Sequence, residues 1–353
     1  MVATPDWTER AIAAHAAMQQ HFFLARRRLY RATAPGDGST AFLWPFSQSF
    51  AATLDLAELQ GTGDRPRTGV ADRLDGLARY WNRHGDPPAY DSAAHSWLSA
   101  SSDQFSDDNA WIGLQLVRAH RLTGDAEPLA RAGDVLRFLI GNWDDDPSHP
   151  APGGVFWVRA GWSRDRNTVS TAPSAILALR LHELTGDVDA LTWAARMYGW
   201  VRQHLLAPNG LYWDHIDLAG EVERTQWSYN QGTMIGAGIL LARATGEPGY
   251  REQAERTAHA ALALYAGGDR LAAQGPAFNA IFLKNLLLLR DAGGVDLDLS
   301  PLRDYGTRLW ETARDPESGL FALHPGGPVD LLQQAAATRI CALLARSAAE
   351  PAT

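Results

Sequence analysis

Cysteine is nearly absent from this chain: Cys341 is the only one in 353 residues. An intrachain disulfide and a zinc site built on thiolates are both excluded. Long apolar runs are missing too. No stretch of about 18 apolar residues exists, so no helix is expected to span a membrane. The first ten residues, Met1 to Arg10, hold neither a basic nor an apolar segment of the signal-peptide kind. As written the chain reads as cytoplasmic, unless a leader was trimmed from it.

Positive charge is in deficit. The formal net charge of -8 would repel an extended phosphate backbone. The densest basic run, Arg26-Arg27-Arg28, reads as the solvated face of an N-terminal helical stretch. Nucleic acid is therefore not an expected partner. The 11 histidines form no His-Glu-x-x-His pair. Asp144-Asp145-Asp146 has no spaced acids after it and reads as a solvated turn. Ala266-Gly267-Gly268-Asp269 reads as a turn and not as a phosphate loop. No metal and no cofactor is expected. Strand signals are few and short, as at Gly153–Trp157 and Gly210–Trp213.

What the chain does have is an internal repeat. A turn signature appears as Gly61-Thr62-Gly63-Asp64, Leu122-Thr123-Gly124-Asp125, Leu184-Thr185-Gly186-Asp187 and Ala244-Thr245-Gly246-Glu247. Its threonines are separated by 61, 62 and 60 residues, and a weaker echo follows at Arg290–Gly294. The glycine suits the left-handed end of a helix, and the acid suits the start of the next. Strongly apolar helices are predicted before the turns, over 43–60, 107–122, 169–184, 229–244, 277–290 and 330–346. Amphipathic ones follow over 126–141, 188–205 and 248–265. Spacing and length agree on six units of about 59 residues. Neither end looks capped as an open solenoid requires. The expected fold is all-α: an (α/α)6 toroid in one domain over 1–353, six helical hairpins closed in a ring. The connections 84–106, 142–168, 207–228 and 266–277 are expected to cluster on one face and build a cleft.

At the start of the second apolar helix stands Phe105-Ser106-Asp107-Asp108-Asn109-Ala110-Trp111. Two acids in a first turn also fit a plain helix start, with Ser106 as N-cap. Here, however, an aromatic follows. Polar residues also begin other inner helices, at Asn167 and at Asn230-Gln231. Two close carboxylates beside an aromatic surface are what hydrolysis of a glycosidic bond needs. Adjacent residues can hold their carboxylates about 5–5.5 Å apart, the separation for a covalent glycosyl intermediate. Like charges this close push their pKa values apart, so one can keep a proton while the other is ionised. Thirteen tryptophans are many for this length. Trp97, Trp143, Trp157, Trp162, Trp213 and Trp227 fall in or beside the predicted loops, where each is either a hydrophobic plug or a platform for a sugar ring.

The same residues carry a family resemblance. The Asp-Asp-Asn-Ala-Trp run resembles the hallmark of glycoside hydrolase family 76, the endo-α-1,6-mannanases. Ser228-Tyr229-Asn230-Gln231-Gly232 is similar to that family's Tyr-Asn-Gln-Gly motif. Gly153–Trp157 and Phe278-Asn279-Ala280-Ile281-Phe282 resemble its Gly-Gly-aromatic loop and late aromatic segment. The similarity runs in order from about Trp44 to Leu289. Departures are Ser106 where the family usually has Tyr, and Thr171 where a second Asn is usual.

The resemblance implies an (α/α)6 barrel and retaining hydrolysis of α-1,6-linked mannan, with Asp107 as nucleophile and Asp108 as general acid/base. It puts Asn230 and Gln231 in the cleft as partners of sugar hydroxyls. Asn109, Trp111, Trp157, Asn167, Trp213, Tyr229 and Phe278 complete the expected substrate contacts. Two other functions fit an (α/α)6 toroid: a glycan-binding protein without catalysis, and a sugar 2-epimerase or isomerase. The latter wants paired histidine bases, which the predicted inner helices scarcely contain.

Overall fold

The computed structural model describes residues 6–59, 62, 65–95, 102–323 and 327–348. Trp97 and most of the first turn signature, Gly61-Thr62-Gly63-Asp64, lie outside the described residues. The helices are α1 (Trp7–Phe22), α2 (Leu43–Ala57), α3 (Arg65–Leu77), α4 (Ser106–Thr123), α5 (Ala126–Gly141), α6 (Thr168–Thr185) and α7 (Val188–His204). They continue as α8 (Ser228–Thr245), α9 (Pro248–Tyr265), the short α10 (Arg270–Gln274), α11 (Pro276–Gly293), α12 (Ser300–Thr312) and α13 (Leu331–Ala348).

Six of them form an inner ring. Packing runs α2–α4–α6–α8–α11–α13 and closes from α13 back to α2. These are the six helices expected from apolar content. In α6 every residue from Thr168 to Leu179 is buried, as befits a helix with no solvent face. Outside the ring, α3, α5, α7 and α9 pack on the inner helix preceding each, and α12 packs on α13. The outer helices bury a single stripe; in α5 it is Pro128, Ala132, Val135, Leu136, Phe138 and Leu139. The sixth hairpin is completed by the other end of the chain, because α1 lies against α13. The tightest seam is α8 against α11. There a Cβ on Gly232 would come within 2.7 Å of the Phe282 Cα, so only glycine permits the approach.

The repeated turn works as its composition suggests. Gly124, Gly186, Gly246 and Gly294 end α4, α6, α8 and α11 with φ of 77°, 72°, 77° and 64°. Such left-handed backbone costs a glycine nothing. Thr123, Thr185 and Thr245 each donate to the carbonyl four residues back and accept from the acid's backbone N–H. Asp125 and Asp187 then cap α5 and α7. Because inner helices run parallel, all their N-termini reach one end of the barrel, where the long connections gather. Arg26–Arg28 are exposed as expected, but in the turn between the paired segments Phe23–Leu24 and Leu29–Tyr30, past the end of α1. Gly153–Trp157 and Gly210–Trp213 hold isolated bridges, not strands. A three-stranded sheet joins Arg166–Asn167, His215–Ile216 and Val222–Glu223. Among the described residues no helix is long and apolar enough to cross a membrane.

Candidate active site

The Asp pair opens α4 at the loop-bearing end of the barrel. Phe105, not Ser106, is the residue before the helix, and it offers no side-chain cap. Ser106 instead accepts a hydrogen bond from the Asn142 amide at 3.0 Å. Asp107 and Asp108 line a cavity of about 310 Å³ with Trp44, Phe105, Trp111, Trp157, Tyr229 and Phe278. That size lies at the lower end of ligand-sized clefts, about 300–1,000 Å³. Its walls are mutually braced rings. Tyr229 stacks on Phe278 with centroids 3.9 Å apart and planes 8° from parallel. Trp44 leans on Trp111 at 5.8 Å, and Phe105 on Trp157 at 5.1 Å.

The two acids have different surroundings. Asp107 accepts from the Asp108 backbone N–H at 2.9 Å and from the Trp157 indole N–H at 3.2 Å. Burial pushes its pKa up to about 6; the two donors pull it down, and the Asp214 charge adds to the rise. No protein donor reaches the Asp108 carboxylate among the described residues. Burial first, and then the neighbouring Asp107 charge, hold it well above the usual carboxylate range. Asp107 is thus the easier of the two to ionise, and Asp108 the one that keeps a proton.

The family model for glycosyl hydrolase family 76 matches residues 6–280. The chain belongs to this family. It is 29% identical over 171 residues to a mannan endo-1,6-α-mannosidase of Candida glabrata, covering 44% of this chain and 38% of that relative. The match therefore spans well under half the length of the curated relative. The fold is that of a family 76 mannosidase from Bacteroides thetaiotaomicron, at a TM-score of 0.84 and 21% identity over 96% of this chain and 98% of the other. It is also that of an inactive double-aspartate variant of an α-1,6-mannanase from Salegentibacter, solved with α-1,6-mannotriose. There the TM-score is 0.79, with 24% identity over 97% of this chain and 99% of the other.

Against this family 76 barrel the expected site residues divide in three. Asp107, Asp108, Trp111, Trp157, Tyr229 and Phe278 meet around the cavity. Asn109 and Gln231, expected as substrate contacts, are fully buried with their amides engaged elsewhere. Asn109 accepts from the Tyr90 N–H at 2.8 Å and donates to the carbonyls of Tyr90 and Phe105. Gln231 does the same with Tyr212 and Trp227, accepting at 2.7 Å. Each reaches a backbone segment 19 residues earlier and pins that loop to the ring. Thr171, Asn279 and Gln334 occupy the same fourth position of α6, α11 and α13, and also hold backbone of the connections. Polar residues at the tops of inner helices therefore do have a local use beyond the cleft.

Asn167 and Asn230 sit higher, at the tops of α6 and α8. Each has a buried side-chain oxygen without a partner among the described residues. Trp213 is outside the cavity lining, beneath the Arg224 guanidinium at 5.4 Å. Trp143 is buried against Trp193 and Trp200, a plug; Trp162 is exposed and stands edge-on to Trp157. Asp144 departs from the solvated turn expected for it. It is buried, paired with Arg166 at 2.6 Å and His149 at 2.9 Å, while Asp145 and Asp146 stay exposed.

Three cavity neighbours escaped the sequence reading. Trp44 is the second residue of α2, the register that Asp107 holds in α4 and Tyr229 in α8; aligning the six repeats exposes it. Phe105 immediately precedes the pair. Asp214 accepts from Asn230 Nδ2 at 3.1 Å and from His215 Nδ1 at 3.0 Å, and its charge is felt by Asp107. It lies in a connection, where no periodicity points to it.

Proposed function

We propose that this protein is a retaining glycoside hydrolase that cleaves α-1,6-linked mannan and its oligosaccharides. The observation that carries the reading is the unequal Asp pair inside an aromatic cavity. Asp107, with two donors on its carboxylate, is suited to be the ionised nucleophile at the anomeric carbon. Asp108, buried without donors, is suited to protonate the departing oxygen and then to take a proton from water. The stacked Tyr229–Phe278 pair and the indoles offer apolar faces to sugar rings. The unpartnered oxygens of Asn167 and Asn230 favour a role in accepting from sugar hydroxyls. Membership of family 76 supports the same chemistry, and the similarity to the mannan endo-1,6-α-mannosidase of Candida glabrata supports the linkage. No histidine lines the cavity among the described residues, which speaks against epimerase chemistry here. The test replaces Asp107 and Asp108 separately by Asn and follows hydrolysis of α-1,6-mannotetraose, with proton NMR of the first anomer released. Loss of turnover in both variants and initial α-anomer from the wild type are expected. An active Asp107→Asn enzyme, or initial β-anomer, would overturn the mechanism.

A further inference from the structure

Trp111 lines two cavities. Above it lies the Asp pair; below it, toward the C-terminal ends of the inner helices, lies a second hollow of about 340 Å³. Six cations converge on this lower cavity from four inner helices: Arg118 and Arg121 from α4, Arg180 from α6, Lys284 from α11, Arg339 and Arg346 from α13. Glu58 is the one acid in its lining among the described residues. The acids that pair with these cations are too few. Asp55 is shared by Arg118, Lys284 and Arg339, and Glu58 also takes Arg118. Glu183 serves both Arg121 and Arg180, and Asp291 divides itself between Arg290 and Arg346. Among the described residues, six cations against four acids leave positive charge in excess, in a chain whose net charge is -8.

Helix polarity accounts for part of this. Cations in the last turn complement the negative ends of the inner helices, and Arg121 and Arg346 fit that description. Such effects fade within one turn. Arg118, Arg180, Lys284 and Arg339 lie deeper, where a cation has to be removed from water and set beside others. The Lys284 ammonium registers this: burial, and then the Arg118 charge, lower its pKa to about 8. It nevertheless stays partly accessible, as do Arg121, Arg180 and Arg346. The floor, by contrast, is apolar and formed by Trp111, Ile176 and Ile281.

We infer that this lower cavity binds a small phosphorylated molecule, its phosphate held by the guanidinium groups and its organic part resting on the Trp111 floor. Guanidinium forks match phosphate oxygens two at a time, and crowded cations gain most from a multiply charged guest. The ligand class is that of sugar phosphates and nucleotides, which share the phosphoryl group and differ in the part that meets the floor.

The experiment is isothermal titration of the intact protein with pyrophosphate, mannose 6-phosphate, ADP and citrate at constant ionic strength. Pyrophosphate should bind, and one of the two organic phosphates should bind more tightly, which identifies the organic part. Arg121→Gln/Arg180→Gln should weaken binding roughly tenfold or more, the loss expected for charge-assisted hydrogen bonds. Glu183→Gln, which removes an acid and leaves both arginines, should tighten it several-fold. Both variants should keep the wild-type rate on mannooligosaccharides. Absence of pyrophosphate binding, equal affinity for citrate, or unchanged affinity in both variants would each overturn the assignment.

Discussion

The indole of Trp157 offers the most direct test of how the Asp pair is poised. Its N–H donates to Asp107 Oδ2 at 3.2 Å, one of two donors that oppose the effect of burial. Trp157→Phe removes the donor while keeping a ring against Phe105. A hydrogen bond to a charged group contributes about 1.5–3 kcal/mol. At this distance, with the Asp108 N–H still in place, the lower end applies, and about 1.5 kcal/mol is about one pKa unit. Losing a donor to the carboxylate favours the acid form, so the apparent pKa of the pair rises. The acid limb of kcat/KM, which reports ionisation of the free enzyme, should therefore move from near pH 6 to about pH 7. The assay is kcat/KM on α-1,6-mannotetraose across about pH 4 to 8 at fixed ionic strength. The plateau can also fall, because the indole is part of the cavity wall. The limb is the diagnostic: a lowered plateau with an unmoved limb would refute the proposed electrostatic role of Trp157.

Other consequences are equally open to measurement. Gln231→Ala strips partners from the buried N–H and C=O of Tyr212, at about 1–3 kcal/mol for each group left unsatisfied, and one of two donors from the half-buried Trp227 carbonyl. Urea unfolding should show a loss of at least about 2 kcal/mol, and a variant as stable as wild type would remove the loop-pinning role. Gly232→Ala improves helix propensity by about 1 kcal/mol but drives a methyl onto the Phe282 backbone of α11, so net destabilisation of about 1–3 kcal/mol is expected. A raised Tm in that variant would show the seam to be looser than described. Asp108→Asn should be as stable as wild type near pH 4 and more stable near pH 8. Since the folded pKa of Asp108 is raised, its favourable contribution holds at low pH and is lost as pH climbs through that value. Thermal melts in which wild type is the more stable at pH 8 would contradict the burial argument.

The ring was readable because its physics is local and repeated. A helix that is apolar on every side, a glycine at its end and an acid two residues past a threonine recur at one period. Periodicity finds them without any knowledge of contacts. The completion of the sixth hairpin by α1 was not readable, since nothing local in Trp7–Phe22 says that it lies on α13. Asp144 was misread for a related reason: its partners, Arg166 and His149, are chosen by loop packing. Asn109 and Gln231 show a subtler limit. Residues that pin a loop and residues that would touch a ligand are both polar, both at the tops of inner helices, and adjacent in sequence. Register separates them. In the first turns of α4, α8 and α11 the cavity liners Asp107, Asp108, Tyr229 and Phe278 stand at the second and third positions, with Trp111 one turn deeper in α4, and the pinning amides Asn109, Gln231 and Asn279 stand at the fourth. From the fourth position a side chain points back over the preceding turn, toward the incoming loop.

The electrostatics of the pair follow from a contest that magnitudes decide. Asp107 and Asp108 sit in the first turn of α4, where the helix dipole favours the ionised form. That effect contributes about 0.3–1 kcal/mol, well under one pKa unit. Yet Asp107 rises from 3.8 to about 6, a shift in the opposite direction that corresponds to roughly 3 kcal/mol. Desolvation therefore outweighs the dipole, and the aromatic wall is its source: Trp44, Phe105, Trp111, Trp157, Tyr229 and Phe278 leave the carboxylates little water. The rings that are suited to hold a sugar are thus the same groups that keep a proton on Asp108. Opening the wall would be felt in acidity as well as in binding, so shape and proton affinity cannot be tuned independently in this barrel.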